Sequence, residues 1–221
     1  AKDHRLHESG FSPSQIGDDF AAFYCMEYED EIPEDEILQA RFEVEQALSN
    51  LFSMRELCTQ LKSADYLVSQ RPLMFSHSEE TVQAVPDMIA FYQDRPPLVV
   101  DWKVHAFGIR RAWLQLGTYA LALMRCKPHR DFAKYLAQWR ETDIQLLEVQ
   151  LLTNQIRNYT LTEIQIDAVD SYIAESINEI ALAIGEDKKA KLVSTDFLPA
   201  VSPETCQRCA YRSICWEVID D

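Results

Sequence analysis

Residues 98–104 read Leu-Val-Val-Asp-Trp-Lys-Val, an apolar run interrupted by two opposite charges two positions apart. Successive side chains of a strand point to opposite faces, so a strand here sets Asp101 and Lys103 side by side on one face. A charge in such a run costs free energy if it is buried without a partner. The plainest reading of the Asp-x-Lys spacing alone is an edge strand carrying a surface ion pair. The pattern upstream is more demanding. Pro86-Asp87 lies in a preceding apolar segment, and if the two strands pair, Asp87 meets Asp101 and Lys103 at one point.

Two carboxylates at one point form a hard-oxygen site suited to Mg²⁺ or Mn²⁺. A lysine beside them can orient or help deprotonate a water, or neutralise charge on a phosphorane-like transition state. Asp87, Asp101 and Lys103 are therefore the first candidate site residues.

The surroundings place this strand in an α/β chain with a central mixed sheet flanked by helices. A helix is expected near 14–28, with Ser14 as its cap. Pro33 followed by Glu34, Asp35 and Glu36 suits a helix start, and Ile37, Val44, Ala47, Leu48 and Leu51 keep helical spacing over 34–52. A second helix continues to Leu61. Residues 66–76, 82–93 and 97–105 read as three strands, the last two joined at Gln93-Asp94-Arg95-Pro96. Helical spacing returns over 109–126, and a further helix is expected over 129–139. Residues 143–152 and 155–161 read as a hairpin turning at Thr153-Asn154. Thr162 can cap a long helix with Ile166, Val169, Ile173, Ile177, Ile180 and Ile184 on one face and Gly185 at its end. One domain is expected over 1–221, with a helical part over 1–63, the sheet core over 64–162, and the long helix and cysteine-rich segment over 163–221.

Composition bounds the function. With 221 residues, 47% of them hydrophobic, the chain can bury one substantial core. A net charge of −15 argues against broad adhesion to phosphates. A divalent cation can still invert the field locally. No apolar run reaches the roughly 18 residues a membrane span needs, and no signal-peptide pattern opens the chain. We therefore expect an intracellular protein, cytoplasmic if prokaryotic, with no membrane partner. The first residue is Ala1, so the chain is expected to be trimmed or excised from something longer.

Six cysteines are present, and their uneven spacing in a long chain favours metal binding over a disulfide framework. Cys206-x-x-Cys209-x5-Cys215 is compact, and two thiolates at C-x-x-C spacing can chelate one centre. A tetrahedral site then lacks one ligand, for which Cys25, Cys58 and Cys126 are the candidates. Cys58 and Cys126 lie in apolar helical settings that suit packed core thiols. Four cysteines alone do not separate an iron–sulfur cluster from Zn²⁺.

Val85-Pro86-Asp87-Met88-Ile89 followed by Leu98-Val99-Val100-Asp101-Trp102-Lys103 resembles motifs II and III of the PD-(D/E)xK nucleases. It is most similar to the RecB-type branch, which includes CRISPR-associated RecB-like exonucleases and the AddB nuclease domain. In that branch a Q-x-x-x-Y motif follows on the next helix, and Gln115-Leu-Gly-Thr-Tyr119 matches it. Spacing of four puts Gln115 and Tyr119 on one helical face. The resemblance implies a restriction-endonuclease-like core with a C-terminal metal staple, Gln115 lining the active site, and Tyr119 touching DNA or bracing the site. It also implies metal held by Asp87, Asp101 and the backbone carbonyl of Val104, with Lys103 acting on the attacking water.

The motif I position, usually histidine, aligns with Glu45 within Arg41-Phe-Glu-Val44-Glu45-Gln-Ala-Leu48. Glu43 and Glu56 are its rivals, and His77 and His105 less favoured substitutes. His105, two residues past Lys103, could share the sheet face and contact substrate. For the cysteines the resemblance implies a [4Fe–4S] cluster on Cys25, Cys206, Cys209 and Cys215 rather than Zn²⁺. The activity implied is hydrolysis of phosphodiester bonds, as an exonuclease on single-stranded DNA ends in repair, recombination or CRISPR adaptation. Helicase or CRISPR adaptation proteins are the implied partners. The alternative is a non-catalytic DNA-end-binding or scaffold module that keeps the fold and the cluster.

Overall fold

In a computed structural model, the structure describes residues 34–104, 112–127 and 129–184. The expected helix at 14–28, Gly185, His105 and the staple cysteines Cys25, Cys206, Cys209 and Cys215 lie outside the described residues. The described chain runs α1 (Glu34–Ser53), α2 (Arg55–Lys62), β1 (Tyr66–Ser69), β2 (Leu73–His77), β3 (Glu80–Ala84), β4 (Met88–Phe91), β5 (Leu98–Lys103), α3 (Ala112–Arg125), β6 (Gln145–Gln150), β7 (Gln155–Tyr159) and α4 (Glu163–Ile184).

The central sheet has five strands in the order β1-β4-β5-β6-β7. All neighbours are antiparallel except β5 and β6, which are parallel, so the sheet is mixed. A parallel pair needs a crossover connection, and α3 lies within it. β5 is central, which explains why Leu98, Val99 and Val100 are all fully buried: both faces of this strand are covered.

One face carries Ile89, Phe91, Val99 and Leu146 and packs against Leu116, Ala120 and Leu123 of α3 and Val169 and Ile173 of α4. The other carries Ala90, Tyr92, Leu98, Val100, Leu147 and Val149 and packs against Met54 and against Leu57 of α2. By alternation, Asp101 shares the face of Val99 and so looks toward α3.

The three expected strands become five. Gln70 takes a left-handed backbone (φ 48°) and breaks the first into β1 and β2. The segment around Pro86 breaks the second, since proline offers no N–H to a ladder. β2 and β3 pair as a separate hairpin turning at Ser78 and Glu79, both left-handed. Such a turn ordinarily announces itself with Asn-Gly, and Ser-Glu does not.

Expected helix 129–139 is corrected to a 3₁₀ turn at Ala133–Tyr135. There Phe132 and Tyr135 stack on Phe91, so tertiary packing overrides local propensity. α4 begins as expected. The Thr162 hydroxyl accepts from the Gln165 N–H at 3.3 Å, and the Gln165 side chain accepts from the Thr162 N–H at 3.0 Å, a reciprocal cap. Its apolar face is covered only in part: Ile166, Val169 and Ile173 are buried, while Ile180 is 58% exposed. On α1, likewise, Ala47 is buried but Ile37, Val44 and Leu48 are exposed. Gln46 and Asn50 tie this helix to the carbonyls of Leu151 and Leu152, at the turn that ends β6.

Among the described residues, no helix is long and apolar enough to cross a membrane.

Candidate active site

The sheet register builds the site. β4 and β5 pair Met88 with Val100, and one further step along that register sets Asp87 opposite Asp101. β5 and β6 pair Asp101 with Glu148, and β6 and β7 pair Glu148 with Arg157. Directly opposed residues share a sheet face. Asp87, just before β4, and Asp101, Glu148 and Arg157, on β5, β6 and β7, therefore form one row, on the side that faces α3.

Asp101 is the centre of this row and is only 2% exposed. Its Oδ2 lies 2.7 Å from Nζ of Lys103, and its Oδ1 accepts from Nε2 of Gln115 at 3.1 Å. Burial pushes the Asp101 carboxyl above the usual carboxylate range; Lys103 opposes the rise, and Asp87 and Glu148 add to it. Asp87 is half-buried, and its Oδ2 accepts the backbone N–H of Trp102 at 2.9 Å. That bond clamps the end of the loop before β4 onto β5, between the two charged positions.

α3 supplies the third side of the site. Gln115 uses its whole amide: Nε2 donates to Asp101 Oδ1 and to the Tyr119 hydroxyl at 2.7 Å, while Oε1 accepts from Lys103 Nζ at 3.0 Å. The helical spacing of four makes this possible, because Gln115 and Tyr119 lie one turn apart. Tyr119 is buried, and burial first, then the nearby Asp101 and Asp87, hold its phenol above the ordinary tyrosine value against the Gln115 bond. Its position suits bracing Gln115, and an inward phenol is poorly placed to touch a polymer.

Gly117, between these two residues, lets α3 approach α4 closely. A Cβ at this position would stand 2.6 Å from Cγ2 of Val169.

Glu45 is not brought to the row. It stands exposed on α1 and, among the described residues, does not come together with Asp87 and Asp101 as a group of three able to hold an ion. Glu56 is exposed on α2, on the opposite side of the sheet. Glu43 bonds Gln39 on α1 itself, and His77 pairs with Asp170 of α4. Val104 follows Lys103 directly at the end of β5. Cys58 and Cys126 are free thiols, their Sγ atoms bonded to the carbonyls of Leu51 and Leu123.

Sequence reasoning missed Glu148 and Arg157. Glu148 is 3% exposed; its Oε1 accepts from Gln150 Nε2 at 2.5 Å and from Arg157 Nη1 at 3.0 Å. The signal was present, since Glu148 interrupts Leu146-Leu147-Glu148-Val149 just as Asp101 interrupts β5, and a charge buried there needs a partner.

The donor set fits a small hard cation in one specific way. Among the described residues, no three His, Cys, Asp or Glu side chains stand close enough to hold an ion by themselves. Two carboxylates completed by backbone oxygen, water and substrate phosphate are the usual complement for Mg²⁺, and Asp87 and Asp101 offer two.

The chain matches a family described as the PD-(D/E)XK nuclease superfamily over residues 17–216. No curated protein matches it. Among solved structures it is similar to the one titled crystal structure of SSO0001, at 13% identity and a TM-score of 0.35, covering 87% of this chain and 78% of that one.

Proposed function

We propose that this chain, which belongs to the PD-(D/E)XK nuclease superfamily, is a catalytically active deoxyribonuclease working as an exonuclease on single-stranded DNA ends. One observation carries the reading: Lys103 Nζ is held 2.7 Å from Asp101 and 3.0 Å from Gln115, on a central strand where the buried Asp101 carboxylate needs a partner. A surface ion pair needs no such support.

A Mg²⁺ or Mn²⁺ held by Asp87, Asp101 and the Val104 carbonyl would supply charge neutralisation at the phosphate and a more acidic water. The residues do the rest. An ammonium has three N–H donors, and Lys103 spends one each on Asp101 and Gln115. The third is free to hold the attacking water or a phosphate oxygen. Gln115 keeps the ammonium and the carboxylate in place, and Tyr119 keeps Gln115 in place. Glu45, exposed on α1, lies outside this set. We further propose that Cys25, Cys206, Cys209 and Cys215 hold a [4Fe–4S] cluster, and that the setting is repair, recombination or CRISPR adaptation beside a helicase or adaptation protein. The motif order in the sequence supports this.

A second reading, a DNA-end-binding module without catalysis, is favoured by the absence of Glu45 from the carboxylate row. Labelled single strands incubated with Mn²⁺ or with EDTA separate the two. The first reading expects Mn²⁺-dependent shortening from an end, lost in Lys103→Ala. Binding without cleavage supports the second. Cleavage undiminished in Lys103→Ala overturns the role given to the lysine.

A further inference from the structure

We infer that Arg157 grips a backbone phosphate of the bound nucleic-acid strand beside the scissile one, and that buried Glu148 is the positioning residue that aims it. The inference rests on the nuclease reading above.

Arg157 and Glu148 are directly opposed on β7 and β6, and Glu148 is directly opposed to Asp101 on β5. Neighbouring strands lie about 4.8 Å apart, so the Arg157 backbone is roughly 10 Å from that of Asp101. Its side chain folds back along the row toward the site, with Nη1 on Glu148 Oε1 at 3.0 Å. The guanidinium therefore sits about one strand spacing, roughly 5 Å, from the column of Asp101.

A purely structural arginine would be expected to spend its fork on the acid it neutralises. Arg157 meets Glu148 through one contact rather than a paired one, its other neighbour on the row is the Tyr159 hydroxyl, and its side chain is 53% exposed. A guanidinium carries five N–H donors in a planar fork suited to phosphate, so most of this fork faces outward. Glu148, in contrast, is nearly sealed, and it is also held by Gln150 at 2.5 Å and approached by the Tyr159 hydroxyl at 3.5 Å. The buried partner is fixed and the exposed one is aimed by it. The chain carries a net charge of −15, so a polyanionic strand needs local cations, and on this row Arg157 is the one that faces solvent.

The test measures binding and cleavage on the same labelled single strand. Anisotropy in Ca²⁺ gives Kd against salt, and Mn²⁺ kinetics give KM and kcat. Arg157→Ala is expected to raise Kd and KM about tenfold, equally for unrelated sequences, and to reduce the salt slope by about 0.7, one single-strand phosphate contact. Arg157→Lys should recover part of the affinity. Glu148→Gln should weaken binding in the same direction but less, because the charge stays while its aim is lost. A melting curve of each variant guards against unfolding. Unchanged Kd and salt slope in folded Arg157→Ala overturn the proposal and leave Arg157 as the counter-charge of Glu148. Wild type that binds without cleaving overturns the nuclease reading, and the salt slope of Arg157→Ala still decides the role of Arg157.

Discussion

Gln115, on α3, donates its side-chain amide to Oδ1 of Asp101, on β5, at 3.1 Å. This bond ties the helix to the most deeply buried carboxylate of the site. The same amide also accepts from Lys103, so Gln115 fixes the separation of the acid and the base.

Gln115→Ala is accordingly expected to lower the cleavage rate about 10–100-fold, the usual scale for losing an outer partner of a metal site. The fold should survive, because Gln115 itself is exposed. Gln115→Glu should do worse than Gln115→Ala, since it adds a negative charge beside carboxyls already crowded together. Single-turnover cleavage of a labelled strand checks both.

Asp101 should make the metal-free protein less stable as pH rises. Burial raises its folded pKa above the ordinary aspartate value of about 3.9. Below that value both folded and unfolded chains hold the proton, and the stability contribution is fully present. Between it and the raised folded value, the unfolded chain has released the proton and the folded chain has not, so stability falls with pH. Above the raised folded value the penalty is complete. In EDTA, Asp101→Asn should therefore melt above wild type at neutral pH, with the difference closing toward acid pH. Thermal melts across that range give the answer, and a variant less stable at neutral pH would contradict the burial account.

Gly117→Ala should be destabilising through one contact. The new Cβ would stand 2.6 Å from Val169 Cγ2, and overpacking of this kind costs about 1–3 kcal/mol. Val169→Ala added to Gly117→Ala should recover part of that loss, because it removes the colliding methyl. Denaturant midpoints of the three variants check it.

Much of this geometry was legible in the sequence. Asp87, Asp101 and Lys103 were readable because period two and a paired strand leave few other ways to place them. Gln115 and Tyr119 followed from a spacing of four on the next helix. Glu148 and Arg157 were not read, although Glu148 interrupts an apolar run and the β6–β7 hairpin sets Arg157 opposite it: their place beside Asp101 depends on the register of a parallel pair closed across a crossover, which no local pattern encodes. The β2–β3 hairpin was missed because Ser78 and Glu79 take left-handed backbone without glycine or asparagine. The exposed faces of α1 and α4 show the converse limit, since a helical period states which residues share a face and not what covers it.

The cysteine reading has its own measurement. Protein purified anaerobically should be brown and carry iron and sulfide, and Cys209→Ser should lose both. A colourless preparation holding one zinc per chain would instead assign the cysteines to Zn²⁺.

The central claim concerns Asp101. The most direct measurement is the single-turnover rate of single-strand cleavage against Mn²⁺ concentration, for wild type and Asp101→Asn. Wild type should show a rate that saturates with Mn²⁺ and vanishes in EDTA. Asp101→Asn should fall by about a hundred- to a thousandfold, the scale of removing a group that stabilises transition-state charge. Cleavage by Asp101→Asn within a few-fold of wild type would contradict the account.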